Sequence, residues 1–218
     1  MTFFVAEIGS NWNGDLQKAK QIVSECKTAG ADAVKFQMWR ADDLYEGKYK
    51  EYELTFEKAE KIKKYCDHIG IEFFCSVFYP EAVAFLETLG VKRYKIGSRT
   101  FKMEDPFSKE TIDAIIENTP KPVIYSNGFN QRVGFEGGRE LYCIPEYPAD
   151  PSDIDWELLK TRKGFSDHTL GIEQSLKYCK MKPDGILEKH VKTVGSHGPD
   201  VEFSITTQEL ADLITQST

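Results

Sequence analysis

Residues 164–173 read GFSDHTLGIE and set Ser166, Asp167 and His168 side by side where strand character gives way to Gly171. A second imidazole, His190, closes the run GILEKH two positions after Glu188. Successive strand side chains point to opposite faces, so Ser166 shares a face with His168 and Glu188 shares one with His190. Two imidazoles at neighbouring strand ends suit a divalent cation that keeps open positions for substrate. Lys35 and Gln37 share a face of AVKFQMW, Lys95 sits in RYKIGS, and Glu7 follows Ala6 in FFVAEIG. Two ammonium groups from different strands, with the hydroxyls of Ser98, Ser126 and Ser166, suit phosphate or carboxylate oxygens. Each residue also has an ordinary reading. A strand lysine can snorkel to solvent, a strand-end histidine can be a hydrogen-bonded structural group, and Glu188–Lys189 can be half of a surface salt bridge worth little. Four charged groups buried without use would be costly, and their recurrence at several strand ends favours one anion-binding site, metal-assisted or not.

These residues must be held by elements, and the chain alternates them. Strand candidates fall at 3–9, 33–39, 72–78, 93–98, 122–128, 141–147, 164–169 and 185–191. Helical spacing of apolar residues lies between most of them. DLQKAKQIVSECKTAG and TFEKAEKIKKYCDHIG each close on glycine, and PEAVAFLETLG opens on proline and closes on glycine. KETIDAIIEN, WELLKTR, EQSLKYCK and TTQELADLITQ complete the set. Strand and helix in alternation predict a parallel sheet with crossovers, and eight such strands predict a (β/α)8 TIM barrel. The runner-up is an open doubly wound sheet, disfavoured because no GxGxxG-type turn occurs and polar residues collect at many strand ends. Between the fifth and sixth strands lies only FNQRVGFEGGRE (129–140), so the barrel is expected to be trimmed there, its helix missing. Residues 1–218 read as a single barrel domain.

The bulk composition excludes several classes. The 218 residues carry a formal net charge of −7, which argues against a general nucleic-acid binder. The five cysteines are widely spaced with no CxxC pair, so no zinc knuckle or disulfide framework is indicated, and Cys75 and Cys143 read as buried thiols. MTFFVAEIGS does not resemble a signal peptide, and no apolar run suits a membrane helix. The expected location is cytoplasmic, with small-molecule partners and neither nucleic acid nor membrane.

The blocks VAEIGSNWNGDLQKAKQIVSECKTAGADAVKFQ, YKIGS, KPVIYSNG, EYPAD, FSDHTLGIE and ILEKH…GPDVEFS occur in this order from Phe4 to about Leu210. Together they resemble the sialic acid synthase family: N-acetylneuraminate synthase and its nonulosonate-forming relatives. The resemblance implies a (β/α)8 barrel that condenses phosphoenolpyruvate with an N-acyl mannosamine-type aldose, giving a nine-carbon 2-keto acid and phosphate for surface carbohydrate. It implies a divalent metal, manganese with magnesium as the alternative, on His168 and His190. It places phosphoenolpyruvate on Lys35, Lys95, Ser98, Ser126 and Ser166. Glu7, Gln37, Tyr147 and Asp200 match positions facing the sugar or reacting centre, and Asp167 matches an outer support of the metal site. A homodimer is one assembly the resemblance allows.

The sequence also departs from the family pattern. The usual His of the NHNG turn is Trp12, the usual Thr after the third strand is Val77, an Asn near the sixth strand is Pro145, a nearby His is Tyr142, and SGE reads SRT with Arg99 and Thr100. The family's antifreeze-like C-terminal domain has no counterpart in these residues. Each lost donor is expected to weaken a charged contact by about 1.5–3 kcal/mol. Two alternatives therefore stand beside the synthase reading: a metal-dependent barrel enzyme for another keto acid or a phosphorylated sugar, and a degenerate barrel that binds a sugar, anion or partner without catalysis. Replacing Lys35 or Lys95 by Ala is expected to weaken phosphoenolpyruvate binding with little change in melting temperature.

Overall fold

Helix α1 (Leu16–Ala29) shows how the sequence marks its elements. The Asp15 carboxylate accepts from the backbone N–H groups of Gln17 and Lys18, satisfying donors that the first turn leaves free. Ala19, Ile22, Val23 and Cys26 form its buried stripe, and Gly30 ends it in the left-handed conformation. The third helix, α3 (Phe56–Ile69), repeats the design with Thr55 as cap, Ala59, Ile62 and Cys66 as stripe and Gly70 as stop.

The computed structural model describes residues 1–129 and 135–217. The remaining elements are strands β1 (Phe3–Glu7), β2 (Ala33–Met38), β3 (Glu72–Val77), β4 (Tyr94–Ile96), β5 (Val123–Asn127), β6 (Arg139–Tyr142), β7 (Gly164–Asp167), β8 (Ile186–Lys192) and β9 (Ile205–Thr206), with helices α2 (Ala41–Leu44), α4 (Pro80–Thr88), α5 (Ser98–Phe101), α6 (Ser108–Asn118), α7 (Trp156–Thr161), α8 (Glu173–Met181) and α9 (Thr207–Ser217). Strands β1 to β8 pair in sequence order, all parallel, and β8 pairs back onto β1. The sheet is therefore a closed barrel, as the alternation predicted, and not an open doubly wound sheet.

Closure divides each strand between two environments. Phe4, Ala6, Val34, Phe36, Phe73, Cys75, Tyr94, Phe165 and Leu187 point outward and join the helices' stripes in the main core. Val5, Ala33, Phe74, Ile124, Leu141 and Ile186 point inward and form a separate apolar plug. Ala33 and Ile186 open their strands and Ile124 is second in its own, so the plug lies toward the amino-terminal end of the barrel. The polar residues of the next inward layers, from Lys35 upward, thus stand on an apolar floor and face the carboxyl ends, where barrel sites form.

One expectation needs correction, and two short elements were not expected. The sixth strand stops at Tyr142, not at Tyr147, because Pro145 and Pro148 have no N–H to give the ladder. The short α2 and the added strand β9, whose Ile205 pairs with Val191 of β8, are too brief to leave a periodic signal. In the fifth connection, residues 130–134 of the expected helix-free loop lie outside the described residues. On the outer face of β5, Tyr125 is covered by Phe101 and Phe135, at ring separations of 4.8 and 5.1 Å.

Candidate active site

Strand register brings the strand-borne residues of this set together. Glu7 lies opposite Lys35 and His190, Gln37 opposite Ser76, Ser76 opposite Lys95, and Ser166 opposite Glu188. All point into the barrel at its carboxyl end, around a cavity of about 430 Å3 lined by Lys35, Gln37, Lys95, Ser98, Ser126, Tyr147, Ser166, His168, His190 and Asp200 among others. Glu7 is the exception among the expected site residues. It is 1 % exposed and does not line the cavity, its carboxylate covered by Lys35 and Gln37. A larger groove, about 850 Å3, lies at the opposite end of the barrel beside Arg139, Lys163 and Lys182 and contains none of these groups.

The floor of the cavity is an ion-pair network. The Lys35 ammonium lies 2.5 Å from Glu7 Oε2 and donates to Ser76 Oγ at 2.6 Å. The Lys95 ammonium donates to Ser126 Oγ at 2.7 Å and to the Ile96 carbonyl at 3.2 Å. Glu188 stands between the lysines, 3.7 Å from Lys35 and 3.6 Å from Lys95, and accepts from Ser166 Oγ at 2.8 Å. Neither lysine snorkels to solvent: they are 3 % and 2 % exposed. Nor is Glu188 part of a surface pair. Its chain neighbour Lys189 points out of the barrel to Asp167, 3.0 Å away, beneath α8.

Burial and neighbouring charge set the protonation of this network. Burial pushes the Glu7 carboxyl up to about 7, against the pull of Lys35 and with the push of Glu188. Burial also opposes charge on Glu188, but Lys35, Lys95 and the Ser166 hydroxyl outweigh it and hold the carboxyl down at about 2. Lys35 is held above its usual range because Glu188 and Glu7 outweigh its burial. Lys95 is pushed below its usual range by burial, despite Glu188. One lysine is thus firmly charged, and the other is the less basic amine.

The rim carries the imidazoles. His168 Nδ1 lies 2.6 Å from the Ile144 carbonyl, which assigns the proton to Nδ1 and leaves the lone pair on Nε2, 3.3 Å from Ser166 Oγ. His190 Nδ1 is buried without a hydrogen-bond partner. Burial holds both rings down at about 3, with the second imidazole adding to the effect at His168 and Lys35 adding to it at His190. Both are therefore neutral, as metal ligands must be, and their ring centres are 6.0 Å apart. Among the described residues, no group of three or more His, Cys, Asp or Glu side chains is poised around one ion. The donor set fits a divalent cation held by two imidazoles, with its other positions left to water or substrate. Tyr147 packs over His168 at 4.2 Å, and Phe203 meets the His190 ring at 4.9 Å. Asp200 accepts from the Ser10 N–H and hydroxyl at 2.7 and 2.8 Å. Only glycine fits at position 9, with φ +53°, because a Cβ there would lie 2.2 Å from Asp200 Oδ2.

Strand alternation also decides the departures. Val77 is fully buried in the outer core, so no cavity donor is lost there, contrary to expectation. Asp167 likewise faces outward, accepting from Thr169 and Ser175, and does not support the metal pair. Tyr142 points outward and accepts from the Asp155 N–H, and Trp12 lies in the core against Phe36. Thr100 turns away to donate to Asp105 at 2.7 Å. Pro145 and Arg99 do line the cavity, and Asp105 holds the Arg99 guanidinium at 3.1 Å.

Sequence reasoning missed Ser76, which holds Lys35, and read Cys143 as a buried thiol without its place by Ser98 and Ser126, where burial pushes the thiol up to about 11. The shared face of Ser76 and Phe74 was the available signal for the first. Nothing local marks the second, because Cys143 lies just past the end of β6.

A profile of the NeuB family matches residues 47–137 and 139–218. The N,N'-diacetyllegionaminic acid synthase of Legionella pneumophila is 30 % identical over 256 residues, spanning 97 % of this chain and 70 % of that protein. The N-acetylneuraminate-9-phosphate synthase of Drosophila melanogaster is 28 % identical over 257 residues, spanning 99 % and 67 %. Among solved structures, the N-acetylneuraminic acid synthetase of Leptospira borgpetersenii, determined in complex with citrate, superposes with a TM-score of 0.86 at 26 % identity, covering 99 % of this chain and 82 % of that one.

Proposed function

The chain belongs to the NeuB family, and on that premise we propose that it condenses phosphoenolpyruvate with an N-acyl mannosamine-type aldose to form a nonulosonic 2-keto acid and phosphate. The observation that carries this reading is the convergence of two buried lysines and three serine hydroxyls on one cavity at the carboxyl end of a closed barrel. Lys35 and Lys95 bind the phosphate and carboxylate of phosphoenolpyruvate, with Ser98, Ser126 and Ser166 filling the remaining acceptor positions. Glu188 keeps both ammonium groups aimed inward until the anion arrives. The aldose lies above, against Tyr147, Gln37 and Asp200. The new bond joins C3 of phosphoenolpyruvate to the aldehyde carbon, and one water is consumed as phosphate leaves. Glu7 does not line the cavity, so it acts through Lys35 and Gln37. Its raised carboxyl takes or releases a proton near neutrality. A manganese ion on His168 and His190 would supply Lewis-acid polarisation of the aldehyde oxygen. We read residues 1–218 as one barrel domain, located in the cytoplasm where phosphoenolpyruvate is made. Among the described residues no helix is long and apolar enough to cross a membrane.

The second reading, an anion-binding barrel without turnover, draws on Pro145, which lines the cavity and has no N–H to offer. One assay separates the two: phosphate release from phosphoenolpyruvate with manganese and a panel of N-acyl hexosamines. Release that requires both an aldose and Lys35 supports the synthase. Binding of phosphoenolpyruvate without release under any aldose supports the second reading.

A further inference from the structure

The Gln37 amide is held at both ends. Its Nε2 donates to Glu7 Oε1 at 2.9 Å, and its Oε1 accepts from the indole N–H of Trp39 at 3.2 Å. Trp39 is 5 % exposed and packs with Ala41 and Tyr52, its ring 5.0 Å from Tyr45, which lines the cavity. A carboxamide can present either end to a neighbour. A carboxyl such as Glu7 does not by itself fix the order, because it accepts from the nitrogen when ionised and donates to the oxygen when protonated. An indole N–H only donates. We propose that Trp39 is a positioning residue: it fixes Gln37 with nitrogen toward Glu7 and oxygen toward the indole, so that the cavity meets one amide N–H and one lone pair in a set order. Without the indole donor the amide has two orientations, and one of them sets two oxygens against each other whenever Glu7 is ionised. This inference rests on the synthase reading only for its kinetic test.

The five-membered ring of histidine places Nε2 where the indole places Nε1, whereas phenylalanine keeps the ring and loses the donor. Trp39→Phe is expected to lower kcat by about three- to tenfold, the range one hydrogen bond supplies, with the KM for phosphoenolpyruvate unchanged. Trp39→His is expected to restore kcat. If Trp39 only packs, the order reverses: the phenylalanine variant keeps kcat and the histidine variant loses it along with melting temperature. A second measurement does not depend on turnover. In 15N-labelled protein the Gln37 side-chain amide signals, identified by their loss in Gln37→Met, should be protected from solvent exchange in the native chain and in Trp39→His, but not in Trp39→Phe. Unchanged Gln37 signals in Trp39→Phe overturn the proposal, whether or not the histidine variant folds. Changed signals in a chain with no turnover uphold the positioning role and overturn the synthase reading instead.

Discussion

Lys35 is the residue on which most of the network depends. Its ammonium faces Glu7 and Glu188 together, whereas Lys95 faces only Glu188 among the carboxylates. Removing one partner of a buried pair strands the other charge, at about 3–5 kcal/mol. Lys35→Ala should therefore weaken phosphoenolpyruvate binding and also lower stability by that order. This revises the expectation that either lysine could be removed with little change in melting temperature. Lys95→Ala should cost less stability, since Glu188 keeps Lys35, while still weakening the ligand. Paired calorimetry and thermal melts check the split, and equal destabilisation by the two variants would contradict it.

At the scale of elements, two placements matter. The turn after β5 passes so close to the start of α5 and the end of β6 that a Cβ on Gly128 would lie 2.8 Å from Ser98 Oγ, 2.9 Å from Cys143 Sγ and 3.0 Å from Pro145 Cδ. Gly128 also donates its N–H to Ser98 Oγ at 2.9 Å. Gly128→Ala should displace Ser98, cost about 1–3 kcal/mol through overpacking and weaken phosphoenolpyruvate binding in calorimetry, with manganese binding intact. The other placement is the imidazole pair carried by β8 and by the residue after β7. Titration of metal-stripped protein with manganese, followed by electron spin resonance, should show weak binding that disappears in the His168→Ala, His190→Ala double variant. Binding that survives in that variant would place the ion elsewhere.

For the whole molecule, these buried groups make stability depend on pH, and their signs differ. His168 and His190 are held at about 3 from an ordinary 6.5, so between those values the unfolded chain binds the extra protons and stability falls as pH falls. Glu7 is raised from 4.5 to about 7, so between those values the folded chain binds the extra proton and stability rises as pH falls. Asp200, also raised by burial, acts in the same direction as Glu7. Two histidine protons against one Glu7 proton leave a net loss of stability, on the order of 1 kcal/mol per pH unit, on acidification from 6.5 to 4.5. Below 4.5 Glu188, held at about 2, adds a further loss. Denaturant melts across this range should show the slope, and replacing both histidines by Asn should abolish or invert it. An unchanged slope would show that the imidazoles are not buried neutral.

The sequence by itself determined the barrel and most of the candidate site, because both follow from local periodicity. Alternation along a strand puts Lys35 with Gln37 and Ser166 with His168 wherever the strand is placed, and helix stripes with glycine stops mark the crossovers between strands. Tertiary structure decided what each group faces. Val77 and Asp167 proved to be outward because strand closure fixes which side of each strand is inside. Glu188 became the bridge between Lys35 of β2 and Lys95 of β4 because closure points all three side chains into the barrel, and Glu7 was covered by Lys35 and Gln37. Such contacts join residues through closure, which no spacing along one chain encodes.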